Sequence, residues 1–173
     1  MIYYHKESLT IRSMKECDTE QFVLGFKEQG WHKPFELFSN YYIEQEKNQR
    51  FVIVSEMDGK VSGYVTLLPN TNVGPFAGKN IPEIVDFNVL IKYQRNGIGN
   101  KMMDITESLA KERSEYVSLS VGLHNGYGTA QRMYVKRGYI PDGTGAWYRG
   151  KILEPYSECM NDDDLTIYFL KSL

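Results

Sequence analysis

The hydrophobic and polar positions change period along the chain, and the changes mark the elements. Leu9-Thr10-Ile11-Arg12-Ser13-Met14 alternates apolar and polar, which predicts a strand. Asp18 stands where a cap would open a helix running to about Gln29, with Phe22, Val23 and Phe26 at helical spacing and Gly30 as its stop. Pro34 suits the first turn of a second helix striped by Phe35, Phe38, Tyr42 and Ile43. Two apolar runs, 51–57 and 61–68, flank Asp58-Gly59, the dipeptide that supplies the positive φ angles of a tight hairpin. Residues 69–80, rich in Gly, Asn and Pro, predict a loop. The run 81–91 is almost continuously apolar and predicts a central strand. Ile98, Met102, Ile105 and Leu109 place a helix over about 97–114. A strand at 116–121, a short helix at 129–137 ending at Gly138, strand pieces at 139–140 and 146–148 around Pro141-Asp142-Gly143, and a last strand at 165–170 complete the series. No internal repeat or linker interrupts it, so the expectation is one mixed α/β domain over 1–173.

Composition then narrows the function. The chain has 173 residues, with 42% hydrophobic and 24% charged, an ordinary globular balance. Twenty Lys plus Arg against 22 Asp plus Glu leaves a net charge of −2. That argues against nucleic acid or an anionic membrane as partner, because either requires a basic surface. Cys17 and Cys159 lie far apart without a CxxC pair, so free thiols are expected, not a disulfide framework or a zinc site. The first residues lack the apolar run of a signal peptide and no stretch approaches 18 apolar residues, which makes a cytoplasmic location the expectation. No His/Cys/Asp/Glu group has metal-ligand spacing, and no metal is expected.

The chemistry concentrates at Gln94-Arg95-Asn96-Gly97-Ile98-Gly99-Asn100, between the central strand and a helix. Glycines there let backbone approach a ligand, and the first helical turn offers unpaired N–H groups and a positive dipole end, which suits a pyrophosphate. The segment lacks the Gly-Lys-Ser/Thr of a P-loop, and Met102 stands in place of the third glycine of a dinucleotide fingerprint. By itself it also reads as a glycine turn without a ligand. Further on, Asn125, Ala130, Tyr134, Gly138 and Tyr139 span a strand-to-helix junction and a short helix. In this order, over about residues 51–148, the two segments resemble the GNAT superfamily of N-acetyltransferases.

The resemblance implies an α+β fold, with a central mixed, mostly antiparallel sheet and helices on both faces. It implies acetyl-coenzyme A (acetyl-CoA) as cosubstrate, with its pyrophosphate on Gln94 to Asn100. The pantetheine arm would lie along the backbone of Phe87, Asn88 and Val89, and Asn125 would be a further coenzyme contact. One departure is Gly126-Tyr127-Gly128-Thr129, a longer spacer between Asn125 and Ala130 than is usual, which makes Asn125 the less secure contact. The alternative for Asn125 is a helix cap.

An alkyl amine of pKa near 10.4 is only about 10⁻³ to 10⁻⁴ neutral at pH 7, and only the neutral form attacks a thioester. A carboxylate base lowers that barrier. Glu83 matches the strand glutamate that serves as base in the histone-acetylating branch, whereas plain alternation along the strand favours Asp86. On that alternation Glu83 shares the apolar face unless a bulge intervenes. Tyr134 corresponds to the general acid for the coenzyme A thiolate; the alternative is a Tyr packed in the core. In ribosomal-protein acetylases of the family, a glutamate stands where this chain has Ser120, which weighs against that substrate class. Trp31, His32, Phe35, Tyr41, Tyr42, Trp147 and Tyr148 are candidates for an aromatic acceptor wall or for core, and His124 for ordinary structural bonding.

The expected function is therefore acetyl transfer from acetyl-CoA to a primary amine, on a small molecule or a protein, by direct attack. The rival is a catalytically silent acetyl-CoA-binding module of the same fold. A homodimer is left open, because many members of the family dimerise.

Overall fold

The computed structural model describes Met1–Leu173, with nine strands and four α-helices. The chain opens with a hairpin, β1 (Ile2–Lys6) against β2 (Leu9–Ser13). Helices α1 (Asp18–Glu28) and α2 (Phe35–Glu46) follow. Next come β3 (Phe51–Met57), β4 (Lys60–Leu68) and β5 (Glu83–Val89). Helix α3 (Ile98–Lys111) leads to β6 (Tyr116–Gly122), and α4 (Gly128–Lys136) to β7 (Ile140–Tyr148), β8 (Lys151–Ile152) and β9 (Leu165–Ser172). The sheet is mixed: β5 and β6 run parallel, while β1 to β4 and β6, β9, β7 and β8 pair antiparallel. None of the helices is long and apolar enough to cross a membrane.

Two compact units share the strands. The first is Met1–Pro69 with Val85–Leu109, and its strands pair in the order β1-β2-β3-β4-β5. The second is Asn70–Ile84 with Ala110–Leu173, in the order β5-β6-β9-β7-β8. Strand β5 contributes to both: Glu83 and Ile84 pair with Ser118 and Leu119 of β6, and the residues from Val85 onward belong to the first unit.

In the first unit the β3–β4 hairpin closes over Asp58 and Gly59, both at positive φ (49° and 76°), the handedness that matches strand twist. Val54 and Tyr64 pair across it on one face, and Ile53 and Val65 on the other; all four are fully buried, so both faces of the hairpin are covered. The side of Val54 and Tyr64 receives Phe22 and Phe26 of α1 and Phe38 of α2. The rings of Phe22, Phe38 and Tyr64 lie 5.1–5.3 Å apart, in stacked and edge-on pairs. Helix α1 starts at Asp18 itself, with Cys17 in the cap position. The Asp18 carboxylate does not cap the helix from outside because Arg12 takes it in a two-pronged ion pair (2.6 and 2.8 Å), with Glu56 on the guanidinium's other edge.

In the second unit Phe76, Trp147 and Tyr168 form a small aromatic core. Strand β7 is continuous from Ile140 to Tyr148, but its register with β9 slips between Pro141 and Ala146. That slip explains why the sequence pattern showed only two strand pieces there.

Phe38 touches both the aromatic core and, through Tyr41 and Tyr64, the site described next. Phe38→Ala is expected to destabilise the protein by about 3–5 kcal/mol, read as a lower denaturation midpoint at unchanged slope.

Candidate active site

The glycine segment is built as a backbone feature. A single 3₁₀ turn (Ile91–Tyr93) follows β5, and the chain then passes through Arg95 (φ 65°) and Gly97 (φ 75°) into α3. Two left-handed positions so close together turn the chain sharply before the helix. The first intrahelical bond runs from the Lys101 amide to the Gly97 carbonyl, at 3.1 Å. The amides of Ile98 and Gly99 therefore precede any helical acceptor, at the positive end of the dipole. Gln94 Nε2 donates to the Val89 carbonyl at 2.9 Å, tying the turn to the end of β5, and Asn96 Nδ2 donates to the Tyr93 carbonyl at 3.3 Å. A Cβ on Gly99 would lie 3.2 Å from Phe87 Cζ, so Phe87 and the turn are direct neighbours. Gln94, Arg95, Asn96, Gly97 and Asn100 face solvent, while Ile98 anchors the helix in the core.

Within the first unit, β5 is irregular at Asp86, whose φ is 44°. A left-handed non-glycine residue inside a strand costs on the order of 1 kcal/mol or more, and the surroundings must hold it. Here they do so through the carboxylate. Oδ1 accepts from Lys33 Nζ and Asn88 Nδ2, both at 2.8 Å. Oδ2 accepts from the hydroxyls of Tyr41 (2.9 Å) and Tyr64 (2.7 Å). Burial, followed by the Asp86 charge, pushes both phenols above their usual range. Lys33 Nζ also donates to the Tyr64 hydroxyl at 2.7 Å and lies 5.4 Å from the ring centres of Phe26 and Tyr64. With four donors on four lone-pair positions, Asp86 has no open position for the proton of an incoming amine.

Glu83, at the other end of β5 and in the second unit, is in the opposite condition. It is 5% exposed, and burial raises its pKa against a hydrogen bond from Thr71 that lowers it. The start of its strand is pinned by Ser118, whose amide and hydroxyl both donate to the Pro82 carbonyl (2.9 and 3.1 Å). Simple alternation places Glu83 on the apolar face, and its 5% exposure is in keeping with that. Tyr168 of the aromatic core has its pKa pushed up to about 12, first by burial and then by the charges of Glu83 and Asp142.

Tyr134 of α4 is 6% exposed; burial raises its pKa well beyond the ordinary phenol, and its ring meets Tyr139 edge-on at 5.8 Å. Asn125 opens the 3₁₀ turn Asn125–Tyr127 just before α4, and its side chain does not cap that helix; its carbonyl accepts from the Gly128 amide. The side-chain cap of the turn is His124 instead. Its Nδ1 accepts from the Gly126 amide (3.0 Å), and Nε2 pairs with Asp163 (3.0 Å).

The structure thus brings Phe87, Asn88, Val89 and the turn Gln94 to Asn100 together in the first unit, and carries Glu83, Asn125 and Tyr134 in the second. Of the predicted aromatic wall, Tyr41 joins the Asp86 cluster and Trp147 the small core, while Trp31 and Phe35 stay about half exposed. Lys33 and Tyr64, which complete the cluster, gave no signal in the sequence.

Comparisons with known proteins identify the family and the fold. The model of the acetyltransferase (GNAT) family matches residues 12–139. Among solved structures, Ard1 from Thermoplasma volcanium superposes with a TM-score of 0.69 at 20% identity, covering 96% of this chain and 99% of its own. The acetyltransferase yncA from Salmonella typhimurium, solved with its cofactor acetyl-CoA, gives 0.70 at 14% identity, covering 96% and 94%. Ribosomal-protein-alanine N-acetyltransferase from Brucella melitensis gives 0.67 at 16% identity, covering 94% and 99%. Identities this low show the fold alone. A comparison with curated proteins finds no match. The fold and the family match define a GNAT acyltransferase. The chain belongs to the GNAT acetyltransferase family.

A carboxyl whose pKa is raised on folding stabilises the native state while protonated and loses that advantage as pH rises through the folded value. Glu83→Gln is therefore expected to raise the melting temperature at pH 7–8. The gain should shrink as the pH falls toward the ordinary value of 4.5, where wild-type Glu83 is itself neutral. Thermal melts across pH check this, and a gain that persists unchanged at low pH would contradict it.

Proposed function

We propose that this protein transfers an acetyl group from acetyl-CoA to a primary amine by direct attack, with Glu83 as general base and Tyr134 as donor to the departing sulfur. The observation that carries the reading is the exposed double left-handed turn at Arg95 and Gly97, which aims helix-opening amides outward beside the free end of β5. Backbone N–H groups at a helix start are suited to a diphosphate because they bind charge without themselves needing a counter-charge. The backbone of Phe87, Asn88 and Val89, next to the break at Asp86, is proposed to take the pantetheine amides as an added strand would.

The attacking amine must first lose a proton, at a cost of about 4–5 kcal/mol from pKa 10.4 to pH 7. Glu83 suits that task because burial has raised its pKa, which makes it a stronger base than a solvated carboxylate. As the nitrogen bonds to the thioester carbon, its proton passes to Glu83, directly or through water, and the carbon–sulfur bond then breaks. The thiolate, of reference pKa near 8.5, leaves without a strong acid. Tyr134 remains protonated throughout the working range because burial disfavours its phenolate. Its contribution is a hydrogen bond that strengthens as charge gathers on sulfur, with the proton delivered late and regained from solvent while Glu83 releases its own to solvent.

Titration calorimetry with acetyl-CoA should give binding at micromolar concentrations, and release of coenzyme A thiol should follow when a panel of primary amines is added. Binding without thiol release from any amine would favour a silent coenzyme-binding module. Tyr134→Phe should lower kcat by about 10² with little change in coenzyme affinity. Glu83→Gln should lower turnover at neutral pH by about 10²–10⁴ and move the rising limb of the pH profile upward, toward the pKa of the free amine. An unaltered profile would remove Glu83 from the mechanism.

A further inference from the structure

We infer that Lys33 is itself an acetyl acceptor: its amine, held by Asp86 beside the strand segment assigned to the pantetheine arm, takes the acetyl group of acetyl-CoA when no other amine is supplied. This inference rests on the transferase reading above and adds to it a modification site on the protein's own chain.

Lys33 lies in the short irregular segment between α1 and α2, between Gly30 (φ 79°) and Pro34. Its Nζ contacts a carboxylate oxygen at 2.8 Å, a phenol oxygen at 2.7 Å and two aromatic rings at 5.4 Å. Carboxylate, hydroxyl and aromatic faces together make a recognition site for a primary ammonium, so the protein already holds one in place. The location is as specific as the chemistry. The oxygen that accepts from Lys33 also accepts from Asn88 Nδ2, and Asp86 and Asn88 flank Phe87 in β5. The amine is therefore one hydrogen bond from Asp86, on one side of Phe87, and shares an acceptor oxygen with Asn88 on the other. Its side chain is 22% exposed, so reagent can reach it, and its base is already in contact.

The same carboxylate that is closed to an external amine is open to this one, because the Lys33 proton already lies on the bond to Oδ1. The ammonium gives that proton through Asp86 to solvent; the nitrogen bonds to the acetyl carbon; the carbon–sulfur bond breaks, and the thiolate takes the second nitrogen proton to become free coenzyme A. The product is an amide at Lys33, whose remaining N–H can still donate to Asp86. Asp86 keeps Tyr41, Tyr64 and Asn88 in any case, so loss of the Lys33 charge leaves no unbonded buried anion behind. The cluster tolerates the modification it promotes.

The test is incubation of the wild-type protein with acetyl-CoA and no acceptor, followed by peptide mass spectrometry over time. Lys6, ion-paired to Glu7 and 70% exposed, reports the background reaction of a surface lysine. Lys33, although less accessible, should acquire acetyl about 10²-fold faster than Lys6, the usual scale of a placed base. Asp86→Asn should slow Lys33 at least about tenfold while leaving Lys6 unchanged, and Lys33→Arg should reduce the total uptake by one acetyl group. Lys33 reacting no faster than Lys6 while calorimetry shows the coenzyme bound would overturn this inference alone; so would an Asp86→Asn protein that labels Lys33 at the wild-type rate. Absence of coenzyme binding would overturn the transferase reading along with it.

Discussion

Four donors converge on the carboxylate of Asp86, and much of the first unit is arranged to bring them there. Lys33 comes from the segment between α1 and α2, Tyr41 from α2, Tyr64 from β4 and Asn88 from β5 itself. What they hold is a backbone that the residue would not choose: a left-handed aspartate within a strand. The aromatic core serves the same end, because Phe22, Phe26 and Phe38 pack against the ring of Tyr64 whose hydroxyl reaches Asp86. The break in β5, the burial of α1 and α2 and the placing of Lys33 are one coupled arrangement. Each member shares at least one bonding partner with another, so displacing one shifts the bonds of the rest.

The two carboxylates of β5 are three residues apart in sequence and have opposite surroundings. Asp86 has a donor on each of four lone-pair positions, from Lys33, Asn88, Tyr41 and Tyr64. Glu83 is buried with one opposing hydrogen bond, so its neutral form is favoured and its affinity for a proton increased. In the proposed mechanism Glu83 takes the proton of an external amine, and Asp86 takes one only from the lysine already bonded to it. Alternation along the strand ranked them the other way, since it took account of the face on which each lies and not of its neighbours.

What could be read from the sequence divides along a physical line. The β3–β4 hairpin, the stripe of α3 and the turn at Gln94 to Gly99 depend on local periodicity and on backbone angles that few residue types accept, so Asp58-Gly59 and Gly97 announced them. The β1 hairpin partner and the two-residue β8 were not legible, being short and weakly patterned. The start of α1 shifted by one residue because Arg12 claims the Asp18 carboxylate, a contact that local rules do not contain. The Asp86 cluster was legible only in part: Asp86 and Tyr41 stood out as separate candidates, but residues 33, 41 and 64 meet residue 86 only through tertiary packing.

The same line accounts for how this fold persists among chains that share 20% identity or less. A ligand gripped by amides at a helix start and along a strand edge constrains φ and hydrogen-bond direction, and leaves most side chains at liberty. Glycine or a tolerated left-handed residue is then nearly the whole sequence requirement at the coenzyme end, which is why a resemblance can be read from so few positions. The acceptor end has no such economy. A primary ammonium is distinguished by carboxylates, hydroxyls and ring faces, all of them side chains, and each must come from a particular place in the fold. In this chain one such set is gathered around Asp86 and holds the Lys33 ammonium.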